Sequence, residues 1–305
     1  MRTLRTFGCA LLGLVLLAAG CAGGGDRSGS VVVTTNILGD ITREIVGDLA
    51  EVTVLMPPGA DPHSFAVSAR EAATLEHADL VVANGLGLEE GVARHVAAAA
   101  ETGVATVSVA EHVDPLDYSG GDSRGRPDPH FWTDPTRVRA AVDVIAEQVV
   151  DHVGGIDAEA VGANARRYGR QLADLDSWMS ERFAEIPAER RTLVTNHHVF
   201  GYLAARYDFD VVGTVVPSGT TLASPSPADL AELADTVRAA GVPAIFTDSS
   251  QPDRLARVLA DHVGVRVAVV PLFSESLTGP EGGAATYLEL MRANTDAIVS
   301  GLARS

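Results

Sequence analysis

Three histidines stand directly after rigid turns or strands, and their side chains suit a transition metal. His63 ends the turn Met56-Pro57-Pro58-Gly59-Ala60-Asp61-Pro62-His63. His130 ends a second Asp-Pro-His at Asp128-Pro129-His130, and His197 follows the apolar run Leu193-Val194-Thr195. Prolines hold such turns in stiff, non-helical backbone. In open α/β sheets ligands gather outside the carboxyl ends of the strands, and that is where these turns are expected. Neutral imidazole is a good zinc ligand, and three of them leave one tetrahedral position. A carboxylate would close it, with Glu275 in Pro271-Leu272-Phe273-Ser274-Glu275-Ser276-Leu277 first, Asp248 second and Glu281 third. Spacing alone leaves each histidine open to a plainer role as a hydrogen-bonded loop residue. No two of the three have the i,i+4 spacing of a His-Glu-x-x-His protease motif, so any site must be assembled by tertiary structure. His77, His95, His152 and His262 fall in or at the ends of helical stretches and are expected at the surface. His112, near a strand end, is ambiguous.

The elements that would position these residues alternate. Strand-like runs at Val31–Thr35, Glu51–Met56, Asp79–Asn84 and Val104–Val109 are separated by helical spacing at Ile37–Val46, Ser68–His77 and Leu88–Ala99. Asn36 is the expected N-cap of the first helix. Such alternation implies a parallel sheet with helices on its faces. Tyr118–Pro127 reads as an exposed loop, and Pro135 opens a helix to about His152. Asp157–Glu185 is the longest helix candidate, capped by Asp157 and stopped by Pro187. About 29 residues would span roughly 43 Å, longer than a small domain needs, which predicts a rigid connector; two helices kinked near Gly169 are the alternative. Strand–helix alternation then restarts at Thr192. The expected fold is therefore α/β, with two Rossmann-like parallel-sheet lobes joined by a long connector helix and a site in the cleft. The expected divisions are 31–154 for the first lobe, 155–187 for the connector and 188–305 for the second lobe.

The chain's 305 residues are enough for two modest cores. Its formal net charge is -17, and all 23 basic residues are Arg. Such acidity argues against a nucleic-acid partner. Residues 1–20 read as a signal: Arg2 and Arg5 precede an apolar stretch, Phe7–Leu17, too short for a membrane span of ~20 residues. Leu17-Ala18-Ala19-Gly20-Cys21 resembles a bacterial lipobox, with cleavage before Cys21 and acylation of its thiol. Residues 21–30 then form a flexible tether, so the membrane is reached by a lipid anchor only. Cys9 and Cys21 are the only cysteines. The mature domain therefore offers neither a disulfide nor a thiolate, and a metal site must use His, Asp and Glu.

Five stretches carry a resemblance: Thr34–Ile41, Met56–Phe65, Ala78–Glu89, Asp128–Pro135, and Thr195–Tyr202 with the tail Tyr287–Asn294. Together they resemble, in order and over nearly all of the mature chain, the metal-binding cluster A-I substrate-binding lipoproteins of ABC transporters for zinc and manganese. The resemblance implies a metal site of four ligands. The histidine of Pro-Gly-x-Asp-Pro-His falls on His63 and that of Asp-Pro-His-x-Trp on His130. The third, three residues before the Phe of His-x-x-Phe-x-Tyr, falls on His197 and not His198, given Phe200 and Tyr202. The fourth is usually Asp and here is Glu275. Manganese-type members tend to have Glu at the third position. His197 shifts the donor set toward nitrogen, which suits Zn2+ over Mn2+, although the His-rich loop of many zinc-type members is missing from Tyr118–Pro127. The implied role is extracytoplasmic capture of Zn2+ (Mn2+ as the alternative) by a monomer that delivers it to a membrane permease. Where a metallochaperone loads the site, the loop Tyr118–Pro127 is the expected place for it to dock. Two rivals are a secreted zinc hydrolase with Glu275 as general base and a surface adhesin stabilised by metal.

Overall fold

The computed structural model describes residues 29–263 and 267–303. The signal, Cys21 and most of the tether lie outside the described residues. The first lobe comprises β1 (Gly29–Val33), α1 (Asn36–Val46), β2 (Ala50–Val54), α2 (Ala69–Glu76), β3 (Leu80–Ala83), α3 (Ala93–Glu101), β4 (Ala105–Ser108) and α4 (Pro135–His152). Its strands form one parallel sheet in the order β2-β1-β3-β4. After α5 (Ala158–Phe183), the second lobe comprises β5 (Thr192–Thr195), α6 (Gly201–Tyr207), β6 (Asp210–Thr214), α7 (Pro227–Ala240), β7 (Ala244–Asp248), α8 (Arg254–Val263), β8 (Ala268–Leu272) and α9 (Tyr287–Leu302). Here the parallel pairs β5–β6 and β7–β8 are hydrogen-bonded, and β5 lies beside β7. The architecture is the expected two-lobed α/β fold.

Central strands β1 and β3 are covered on both faces, which is why they read as unbroken Val/Leu runs. Helix α5 runs unbroken through Gly162 and Gly169, with Asp157 accepting from the backbone N–H groups of Glu159 and Ala160. Its 26 residues extend about 39 Å. It packs on α4 and α1 of the first lobe and α9 of the second. One apolar core consequently crosses between the lobes on this side, and Phe183 stacks within 5.0 Å of both Tyr207 and Phe209.

At the starts of three helices a side chain or backbone group that the sequence pattern assigns to the helix is bonded elsewhere. Asn36 is not the cap of α1, because Thr35 Oγ1 accepts from the Leu38 N–H and the Asn36 amide is used across the cleft. Helix α3 begins at Ala93, not Leu88. The Glu89 carboxylate turns inward to accept from Thr34 Oγ1 (2.6 Å), Asn84 N (2.7 Å) and Gly85 N (3.1 Å), and that bend precludes an earlier helix. Helix α6 begins only at Gly201, because Thr195 Oγ1 donates to the His197 carbonyl (2.8 Å) and His198 N to the Ser218 carbonyl (3.1 Å).

Candidate metal centre

Each histidine is held by its own local device. Asp61 and Asp128 make identical turns: Asp61 Oδ1 accepts from the His63 N–H at 3.0 Å, and Asp128 Oδ1 from the His130 N–H at 2.9 Å. This Asx geometry explains the repeated Asp-Pro-His. Asn84 Nδ2 donates to the Pro129 carbonyl (3.1 Å), tying the second turn to the end of β3. His197 hangs from the end of β5. Glu275 follows β8 in a loop clamped to the first lobe. Trp132 Nε1 donates to the Ser274 carbonyl (2.9 Å), Asn36 Nδ2 to Ser276 Oγ (2.7 Å), and Leu277 N to Asn36 Oδ1 (2.9 Å).

These devices bring His63, His130, His197 and Glu275 together, with one potential ligand atom from each lying within 4.8 Å of the others. All four are at most 3% exposed. His63 and His130 Nε2 are 3.4 Å apart. Glu275 Oε1 lies 2.9 Å from His197 Nε2, 3.5 Å from His130 Nε2 and 3.9 Å from His63 Nε2. Tetrahedral zinc with bonds of ~2.0–2.1 Å needs ligand atoms about 3.3 Å apart, so these separations bracket the requirement. The 2.9 Å approach lacks hydrogen-bond alignment. Among the described residues, His197 Nε2 and both Glu275 oxygens have no hydrogen-bond partner. Buried polar atoms left this way cost about 1–3 kcal/mol each, more when charged. Three such atoms beside the paired His63 and His130 Nε2 atoms are what a cation would satisfy.

Electrostatics agree with that donor set. Burial pushes His63 down to about 4 and His130 to about 3, each only partly offset by Glu275, and lowers His197 too. The imidazoles are therefore neutral at pH 7, as metal ligands must be. Burial raises Glu275 to about 7 despite the opposing pull of His130 and His63. Asp128 Oδ1 also accepts from His130 Nδ1 at 2.7 Å, which leaves the His130 Nε2 lone pair facing the centre.

The remaining sequence candidates lie apart from this cluster. Asp248 is occupied behind it: Oδ1 accepts from Ser250 N and Oγ (2.5 Å each) and Oδ2 from Ser274 Oγ (2.6 Å). It thus braces the Glu275 loop. Glu281 is exposed. His198 turns away, its Nε2 3.4 Å from Thr214 Oγ1. Residues 118–127 are more ordered than an exposed loop: Asp117 and Pro127 form a β-bridge, and Tyr118 and Ser123 are buried. The orienting roles of Asn36, Tyr118 and Trp132 were not assigned from sequence. Only proximity across 100 or more residues reveals them for Asn36 and Trp132.

A buried cluster between two α/β lobes, tied by one long helix, defines a two-lobed solute-binding protein for a cation. The family described as "Zinc-uptake complex component A periplasmic" matches residues 31–301, and the chain belongs to it. The manganese-binding lipoprotein MntA of Halalkalibacterium halodurans is 30% identical over 304 residues, covering 98% of each chain. The zinc-binding protein TroA of Treponema pallidum is 32% identical over 284 residues, covering 92% of this chain and 90% of TroA. The solved structure of that periplasmic zinc-binding protein superposes with a TM-score of 0.83 at 31% identity, over 91% of this chain and all of the other.

Proposed function

We propose that this protein is the extracytoplasmic solute-binding component of an ABC transporter, capturing Zn2+ between its lobes and handing it to a membrane permease. His63, His130, His197 and Glu275 are the ligands in this reading. One observation carries it: three neutral imidazoles and a carboxylate, all buried, converge, and His197 Nε2 and both Glu275 oxygens have no hydrogen-bond partner. Nitrogen-rich donors favour Zn2+ over Mn2+. Relatives named for manganese keep Mn2+ as the second cargo to test. Four protein ligands leave no open position for an activated water, which argues against the hydrolase reading.

Acylation at Cys21 holds the mature chain on the outer face of the membrane. This rests on the sequence before Cys21 and on relatives named as lipoproteins. Among the described residues no helix is long and apolar enough to cross a membrane. A metallochaperone docking at 118–127 would meet exposed Asp122, Arg124 and Arg126, since Tyr118 and Ser123 are covered. The protein acts as a monomer in this reading.

The test is uptake of radiolabelled zinc by cells lacking the gene, complemented with the natural chain or His130→Ala. Restoration by the natural chain alone is expected. Restoration by both, or by neither, contradicts the proposal.

A further inference from the structure

The two sides of the cleft are joined in very different ways. Around Glu275 the ties are deep: Asn36, Trp132, Ser274 and Ser276 are all buried, and the shared core lies behind α5 and α9. On the Tyr118 side, residues 217–221 of the second lobe reach across to the first. This strap is held by few bonds. Tyr118 Oη donates to the Gly219 carbonyl at 3.1 Å, and Gly219 N donates to Ser123 Oγ at 2.9 Å. Asp122 N donates to the Pro217 carbonyl at 3.1 Å. Thr221 Oγ1 donates to Asp61 Oδ2 at 2.6 Å, and Gln251 Nε2 joins the same oxygen at 2.9 Å.

A cavity of about 520 Å³ lies just outside, walled by Tyr118, Gly219 and Thr220, with His63 also on its lining. The strap therefore forms part of the wall of a cavity that reaches the His63 side of the buried cluster. Its fit against Tyr118 is close: a Cβ on Gly219 would come within 2.3 Å of the Tyr118 hydroxyl. Tyr118 also reaches inward, its Oη 3.4 Å from His130 Nδ1. Its proton goes to the strap, and its oxygen lies beside the His130 Nδ1 whose proton Asp128 accepts.

We propose that residues 217–221, latched by Tyr118 and by Asp61 through Thr221, form, with Gln251 as a second tie on the same Asp61 oxygen, the gate through which the ion enters and leaves. Opening needs this strap to lift and the Gln251–Asp61 tie to part, while the Glu275 side stays closed. Tyr118, Thr221 and Gln251 are positioning residues in this scheme and contribute no ligand atom. The inference rests on the zinc-binding reading above.

The test is stopped-flow transfer of zinc from the loaded, full-length mature protein to a chromophoric chelator, paired with the association rate. Thr221→Val and Gln251→Leu each remove one hydrogen bond to a carboxylate and are expected to speed release about tenfold. Because a gate limits both directions, association should rise too, so the equilibrium affinity changes less than the release rate. Tyr118→Phe should do the same more weakly. Unchanged rates in Thr221→Val and Gln251→Leu overturn the gate. So does faster release with unchanged association, which would mean that the bonds merely stabilise the bound site. If the unsubstituted protein binds no zinc, the functional reading fails instead.

Discussion

Replacing Glu275 by glutamine separates what the site contributes to stability from what it does for metal. In the metal-free protein burial raises the Glu275 carboxyl from 4.5 to about 7. The native state therefore binds more protons than the unfolded chain between these values, and stability falls as pH rises through that window. The whole rise corresponds to about 3 kcal/mol, at roughly 1.4 kcal/mol per pH unit. Glutamine keeps the shape and never ionises. Metal-free Glu275→Gln should thus exceed the natural protein by about 3 kcal/mol at pH 8, and by less than about 1 kcal/mol at pH 5. For a chain of this size that means a Tm higher by roughly 5–10 °C at pH 8. Zinc affinity should fall at least 100-fold, since the site loses its only anionic ligand. Thermal unfolding of chelator-treated proteins at the two pH values, followed by zinc titration, measures both. A variant no more stable at pH 8 than at pH 5, relative to the natural protein, refutes the burial argument. A variant that binds zinc normally refutes the role of Glu275.

Other consequences follow from neighbouring residues. His197→Ala should abolish zinc binding while His198→Ala leaves it within a few-fold, as equilibrium dialysis would show, because only His197 faces the centre. Asp128→Asn should weaken zinc binding about 10- to 100-fold without unfolding the protein, because it loosens the orientation of His130; a competition assay with a fluorescent chelator reads this directly. Zinc binding at pH 7 should release about half a proton, since Glu275 sits near 7 and the imidazoles are already neutral. Calorimetric enthalpies in buffers of different ionisation enthalpy give the count, and a count of zero contradicts the assignment.

Much of the fold was legible because its signals are local. Pro227 after Ser226 and Pro135 after Asp134 start α7 and α4 where the caps predict, and the Val-rich runs are strands covered on both faces. Local signals failed where a residue serves something distant. Asn36 looks like a cap but bonds Ser276 and Leu277, some 240 residues away. Glu89 looks like the first turn of a helix but folds back on Thr34 and Asn84. His63 and His130 stood out because the Asp-Pro-His turns carry their own geometry, whereas choosing His197 over His198 came from the resemblance. Glu275 is reached by a loop whose position depends on Trp132 and Asn36, which no spacing encodes. The second-lobe strap at 217–221 shows the same limit: Pro217-Ser218-Gly219 reads as a turn, and only its contacts with Tyr118 and Asp61 give it a place at the mouth.

The central claim is that one buried His3Glu cluster holds one zinc ion in preference to manganese. Calorimetric titration of metal-stripped mature protein with Zn2+ and separately with Mn2+ tests it most directly. One equivalent of Zn2+ should bind, at least 100-fold more tightly than Mn2+, and binding should vanish in His197→Ala. Equal affinity for the two ions, or normal zinc binding by the variant, would contradict it.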